Sequence, residues 1–239
     1  MRMKRKGHSC ILVMSDSHFP YGHPDTYKFY EAIAEEYQPD KVIHIGDEVD
    51  YHAISFHDSD PNLLSASAEL ERAIECLQPF YELFPNVTLI DSNHGSLVYR
   101  RIRKAGLPEA IVRSYNEILQ APQGWEWVPD LTLRMSDGSP VYFHHGKTSA
   151  HGKLSREMGM STVQGHYHGK FSVDYHGNGL GLYWDMRVGC TIDDESLAFE
   201  YNKTTLARPI IGCGIIINGQ PSLIPMVLNK KGRWIGKLV

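Results

Sequence analysis

At 239 residues, 42% hydrophobic and 22% charged, the chain has the make-up of one large globular domain with a buried core. Its net charge of −4 excludes a global cationic field that would hold nucleic acid non-specifically, and leaves room only for a local basic patch. Four scattered cysteines (Cys10, Cys76, Cys190, Cys213), a basic start followed by too short an apolar run, and no stretch of ~20 apolar residues argue against a disulfide framework, a secretory leader and a membrane helix, so a cytoplasmic protein with reduced thiols is expected.

Ile11-Leu12-Val13-Met14-Ser15 reads as a buried strand running out into Asp16-x-His18. After a loop over Pro20 to Pro24, Asp25 is placed to cap a helix reaching about Tyr37, with Tyr27, Tyr30, Ala34 and Tyr37 at helical spacing. Lys41-Val-Ile-His-Ile45 is a second strand and leads into Gly46-Asp47-Glu48-Val49-Asp50, which completes a βαβ unit and hence a parallel pair. His44 within that strand reads as a buried histidine with a hydrogen-bond partner. His52 and His57 fall in a polar loop from Tyr51 to Leu64.

Ser65 to about Phe84 reads as a helix, with Pro79 predicting a kink or break. Val87 to Ile90 is a third strand and delivers Asn93-His94. The helix that follows carries Arg100, Arg101, Arg103 and Lys104, a charge run that is either a solvated face or, for Arg100 and Arg101, a contact to substrate phosphate. A further helix is expected from Pro108 to about Leu119. Strands follow at Trp125 to Val128, Leu131 to Met135 and Pro140 to Phe143, with Asp137-Gly138 as a hairpin turn, and the last ends at His144-His145-Gly146. A short helix near Gly152 to Met158 precedes Ser161 to Val163 and Gly165-His166-Tyr167-His168. From Phe171 the pattern is β, with Asn218-Gly219 marking a hairpin between Ile210–Ile217 and Ser222–Leu228. No repeat or linker interrupts residues 1–239; a core of about 9–195 and a β-rich extension of about 196–239 are the natural divisions.

Asp16/His18, Asp47, Asn93/His94, His145 and His166/His168 thus stand at the ends of five predicted strands, where α/β folds bind ligands. Carboxylate, imidazole and amide oxygen together suit borderline divalent metals. The inventory exceeds one ion and fits two, which requires a shared carboxylate. Glycines before Asp47 and His166 suit tight turns.

Taken in order, Asp16-x-His18, Gly46-Asp47-x-x-Asp50, Asn93-His94, His145-Gly146 and Gly165-His166-x-His168 resemble the signature of the calcineurin-like metallophosphoesterases over roughly Ile11 to His168. The resemblance implies a four-layer α/β/β/α sandwich. It also implies one metal on Asp16, His18, Asp47 and His168, and a second on Asp47, Asn93, His145 and His166, with Asp47 bridging. His145 is chosen over His144 because it directly precedes the glycine. His94 is implied to protonate the leaving oxygen or stabilise the transition state. Two features depart from the family pattern: Ser92 stands for the usual glycine and Gly95 for the usual acid that orients the histidine. Tyr51-His52 after Asp50 replaces the Arg-Gly of the phosphoprotein phosphatases, which argues against that class.

The expected function is hydrolysis of phosphodiester bonds in a nucleotide or nucleic acid through a metal-bridging hydroxide, with two divalent ions, Mn first and Fe, Zn, Mg or Ni as alternatives. A nucleotide phosphomonoesterase, or a non-catalytic scaffold on a degenerate phosphoesterase fold such as the retromer subunit, are the alternatives. The segments beyond Gly165-His166-x-His168 are similar to small bacterial and phage members, implying the cytoplasm of a bacterial or phage-infected cell. No membrane partner is expected, and the C-terminal β region is free to cap the site, extend a sheet or mediate an oligomer.

Overall fold

Alternation along the first strand sets the layering. In β1 (Cys10–Met14), Leu12 and Met14 face one way and Ile11 and Val13 the other, and all four are buried. Such a strand needs cover on both faces. The computed structural model, which describes residues 7–56, 60, 62–179, 181–196, 198 and 208–239, supplies both covers. Leu12 and Met14 pack with Phe29, Tyr30 and Ile33 of α1 (Thr26–Tyr37) and Leu77 and Phe80 of α2 (Ala66–Leu83). Ile11 and Val13 join Ile43, Phe143, Val163 and Met186 in a second core between two sheets.

The first sheet is built from β1, β2 (Lys41–His44), β3 (Val87–Ile90) and β4 (Trp125–Val128), all parallel, with helices in the crossovers. Met14 pairs with His44 and His44 with Leu89, so the three strands end level and their loops share one edge. The second sheet comprises β5 (Leu131–Arg134), β6 (Pro140–His144), β7 (Ser161–Gln164), β8 (Phe171–Asn178) and β9 (Gly181–Val188), in the order β5-β6-β7-β9-β8. Its outer layer is α5 (Lys153–Met158), which packs on β7 and β9. Helices, sheet, sheet and helix make the α/β/β/α sandwich that the sequence implied.

At the far end of the chain, β10 (Gly212–Ile217) pairs antiparallel with β1, and β11 (Gln220–Pro225) pairs with β10. The tail therefore extends the first sheet. Asn218 and Gly219 both take positive φ, 48° and 81°, as the tight hairpin between these strands requires.

Three local expectations are corrected. α2 runs through Pro79 without a break. Its buried stripe of Ala73, Leu77, Phe80 and Tyr81 offsets the roughly 3 kcal/mol cost of an internal proline. The helix expected from Pro108 to Leu119 is divided into a 3-10 turn, Glu109–Ile111, and α4 (Tyr115–Leu119). Ser114 and Glu117 form a capping box that starts the second piece afresh. Asp25 holds the N-cap position of α1, but its carboxylate makes no cap bond. It accepts instead from Arg233 Nε at 2.7 Å and the Trp234 N–H at 3.0 Å, tying the C-terminal tail to the start of α1.

Candidate metal centre

The chain leaves β1, β2 and β7 through backbone turns that few side chains tolerate. Asp16, His18, Asp47 and His166 take φ of 46°, 47°, 53° and 65°, the left-handed region in which Asp and His are among the less disfavoured residues. Main-chain bonds lock the first two turns together: the Asp16, His18 and Phe19 N–H groups donate to the carbonyls of Gly46, Asp47 and Glu48 at 3.0, 2.8 and 3.0 Å. A Cβ at Gly165 would collide with the Asp16 carboxylate, which accepts the His166 N–H on both oxygens at 3.1 and 3.0 Å.

Two groups of ligand-grade atoms result. In the first, His168 Nε2 lies 3.3 Å from Asp16 Oδ1 and 3.2 Å from His18 Nε2. In the second, His145 Nε2 lies 2.8 Å from Asn93 Oδ1, and His166 joins Asp47 and His145 with ligand atoms all within 4.8 Å of one another. Asp47 stands between them: its Oδ2 is 3.6 Å from His18 Nε2 and 3.2 Å from His145 Nε2. The structure thus brings together all seven side chains named as ligands from the sequence.

Hydrogen bonding fixes which nitrogens face inward. His145 Nδ1 sits 2.9 Å from the Ile45 carbonyl, which can only accept, so Nδ1 carries a proton and Nε2 is the atom turned toward Asn93 Oδ1 and Asp47 Oδ2. His18 Nδ1 lies 3.0 Å from Asp50 Oδ2 in the same sense. Inward-facing nitrogens and oxygens, with His145 and His18 each oriented by an acceptor behind the ring, are what a bound cation demands. Burial pushes the Asp16 and Asp47 carboxyls up, but His168 and His145 for the first, and His145 for the second, outweigh it and hold both below the ordinary value. Burial lowers His145, yet Asp47 outweighs this and raises it to about 9. The carboxylates therefore stay ionised and the site favours positive charge, carried by a proton or a metal. The donors fit divalent ions.

The family model for calcineurin-like phosphoesterases matches residues 11–184. The chain belongs to that family. Members use divalent metals, in agreement with the donor groups described above. No curated protein sequence matches. Among solved structures, Vacuolar Protein Sorting 29 from Cryptosporidium parvum is similar in fold, with 16% identity, a TM-score of 0.50 and coverage of 98% of this chain and 95% of that one. Vps29 from Entamoeba histolytica (12% identity, TM-score 0.44, 91% and 93% covered) and the nuclease MPE of Pseudomonas putida (14%, 0.33, 90% and 86%) are more distant matches.

The departures of this calcineurin-like phosphoesterase from the family pattern have local compensations. Ser92 Oγ accepts from the Asp47 N–H at 2.9 Å and the Gly95 N–H at 3.1 Å, so the hydroxyl braces the Asp47 turn. At Gly95, a Cβ would lie 3.0 Å from that hydroxyl and 3.4 Å from Glu48 Oε1. The room for an acid is taken by Glu48, a fully buried carboxyl that accepts from Trp127 Nε1 at 3.0 Å and is pushed up to about 7 by burial. His94 is held instead by Asp50: its Nδ1 donates to the Asp50 carbonyl and lies 3.6 Å from Asp50 Oδ1. Asp50, visible in the sequence as the last residue of Gly46-Asp47-x-x-Asp50, was given no role there; the structure shows it orienting both His18 and His94.

His44 is the buried, hydrogen-bonded histidine expected, with Nε2 3.0 Å from Ser17 Oγ and its pKa lowered to about 4 by burial. His144 is half-buried and its Nδ1 accepts the Gly146 N–H at 3.0 Å. His52 Nε2 accepts the Asp60 N–H at 3.2 Å, and His57 lies outside the described residues. Arg101 donates to the carbonyls of Ile54 (2.6 Å) and Ser55, which commits its guanidinium to the loop after Asp50. Arg100 sits beside the Phe56 ring. Sequence reasoning also missed a buried pair behind the second-sheet ligands. Asp185 accepts from Arg187 Nε at 3.0 Å, and Arg187 donates to Thr148 O at 2.8 Å and Ala150 O at 3.1 Å. A cleft of about 390 Å³ opens on the Asn93 side, bounded by Asp91, Ser96, Pro129 and His144.

Proposed function

We propose that this chain is a dinuclear metal-dependent phosphoesterase hydrolysing phosphodiesters of nucleotides or nucleic acid. The observation that carries the reading is the position of Asp47, one buried carboxylate facing both donor groups. Asp16, His18, His168 and Asp47 would hold one ion, and Asp47, Asn93, His145 and His166 the other; Mn is the first candidate, with Fe, Zn, Mg and Ni as alternatives. Bound divalent ions supply Lewis acidity toward a phosphoryl group and lower the pKa of water.

The protein's own contribution is positioning and a proton. His94 is fixed through Nδ1 by the Asp50 carbonyl, which leaves Nε2 to exchange a proton with the leaving oxygen. Burial lowers its pKa, but the Asp47 and Asp50 carboxylates outweigh that and raise it. The cleft beside Asn93 and His166 has room for the alcohol portion of the substrate.

Bis(p-nitrophenyl) phosphate with Mn is the direct assay. Asp47→Ala and His166→Ala are expected to reduce hydrolysis to background, and undiminished activity in either rejects the assignment. Faster turnover of the mononitrophenyl ester would move the reading to a phosphomonoesterase. A metal content near zero in protein purified without chelator would favour the scaffold alternative.

A further inference from the structure

Positive charge is gathered next to the site in a way the proposed chemistry at the metals does not use. The helix after His94, α3 (Leu97–Lys104), presents Arg100, Arg101 and Lys104 to a single ring: their charged groups lie 5.1, 4.2 and 4.9 Å from the centroid of Phe56, itself 39% exposed. Among the described residues no carboxylate pairs with any of the three, whereas the neighbouring Arg103 is neutralised by Glu109. Like charges at i and i+4 on a helix repel one another, so this grouping is unfavourable on its own terms. An aromatic hub draws the heads together through cation–π attraction. With Arg101 held by the Ile54 and Ser55 carbonyls, Arg100 and Lys104 are the two heads left to meet an anion with several charges.

The path to that anion begins in the cleft. Ser96 lines the cleft beside Asn93, and Arg100 and Lys104 follow it on the same stripe of the helix at four-residue steps, about 6 Å of rise each. Arg101 is bonded to the loop that issues from Asp50, the residue holding His94, so the cationic shelf and the catalytic histidine share one support. Cations in line with an exposed aromatic ring are the combination by which proteins track a single strand, phosphates on the charges and a base against the ring.

We infer that α3 and Phe56 form a binding shelf for single-stranded nucleic acid, which leads the strand from the cleft along Ser96, Arg100 and Lys104. The inference rests on the phosphodiesterase reading for its direction, but strand binding is measurable without turnover. The test is fluorescence anisotropy of a labelled phosphorothioate oligonucleotide with the full chain in Mn, titrated across salt concentrations. Arg100→Gln with Lys104→Gln is expected to weaken binding at least about tenfold. It should also flatten the slope of log K against log salt by about 1.4, two contacts at ~0.7 each. Phe56→Ala should weaken the single strand more than a duplex of equal length, and Arg103→Gln, whose charge is already paired, serves as the control. Wild-type affinity and slope in the double variant overturn the shelf, as does equal loss on phosphatidylserine vesicles, which would make it a membrane contact. Hydrolysis of the aryl diester without strand binding overturns the shelf and leaves the proposed activity standing; strand binding without hydrolysis does the reverse.

Discussion

In the first sheet, Asp16, His18 and Asp47 stand on turns stitched to each other by main-chain bonds that continue the β1–β2 pairing beyond the strands themselves. In the second sheet, one main-chain bond, Gly165 N–H to His145 O at 2.9 Å, links the two ligand loops, and side chains do the rest. Gln164 Oε1 accepts the Lys147 N–H at 2.9 Å, Arg187 grips the Thr148 and Ala150 carbonyls, and its guanidinium lies 5.5 Å from the ring of Tyr167, the residue between His166 and His168. Strand register and main-chain bonds set the first half, with Ser92 and Asp50 bracing it from the side. A few buried polar groups dictate the second, and one substitution can release it.

Arg187→Ala should do the most damage. Arg187 and Asp185 are fully buried, and removing one partner strands the other's charge at a cost of roughly 3–5 kcal/mol. Thermal denaturation should show that loss, together with weaker metal binding by isothermal titration. An Arg187→Ala protein with wild-type melting and metal affinity would show that the second-sheet loops hold themselves. Asp50→Asn probes the first half, where only ring orientation is touched: metal affinity should fall about 10–100-fold with little change in melting. An equal fall in stability would erase the distinction between the halves.

The smallest effect concerns pH and lies away from the centre. The Arg233 guanidinium lowers the Asp25 carboxyl to about 2 from an ordinary value of 3.8. A carboxyl lowered by folding stabilises fully above its unfolded value, and that contribution fades as pH falls from about 4 through about 2. Asp25→Asn should therefore lower the melting temperature modestly at pH 7 and flatten its fall below pH 4. An unchanged acid limb would remove this ion pair from the tail's attachment.

The first half was also the more legible in sequence. Apolar runs ending in Asp16-x-His18, Gly46-Asp47 and Asn93-His94 report their own geometry, because a parallel strand that ends in a donor must present it at the shared edge. His145, His166 and His168 could be read for the same reason. What holds the second set could not, since Asp185 and Arg187, alternating with Trp184 and Met186 along β9, look like the wet face of a strand until a helix and two loops cover them. Pro79 does not break its helix because burial outweighs local propensity, and Asp25 misled because its partner lies 208 positions away. Asp50 was printed in the motif, but nothing local shows that its carbonyl faces one histidine and its carboxylate another.

The left-handed turns at Asp16, His18, Asp47 and His166 carry a further consequence. Each holds a non-glycine residue where glycine would sit with less strain, by up to about 1–2 kcal/mol. Pressure for thermal robustness alone would drift all four positions toward glycine and, in the same stroke, strip the pocket of its donors. At these bends backbone comfort and donor supply oppose each other, a conflict that the equally left-handed Gln38 and Gln120, both at helix ends, do not face.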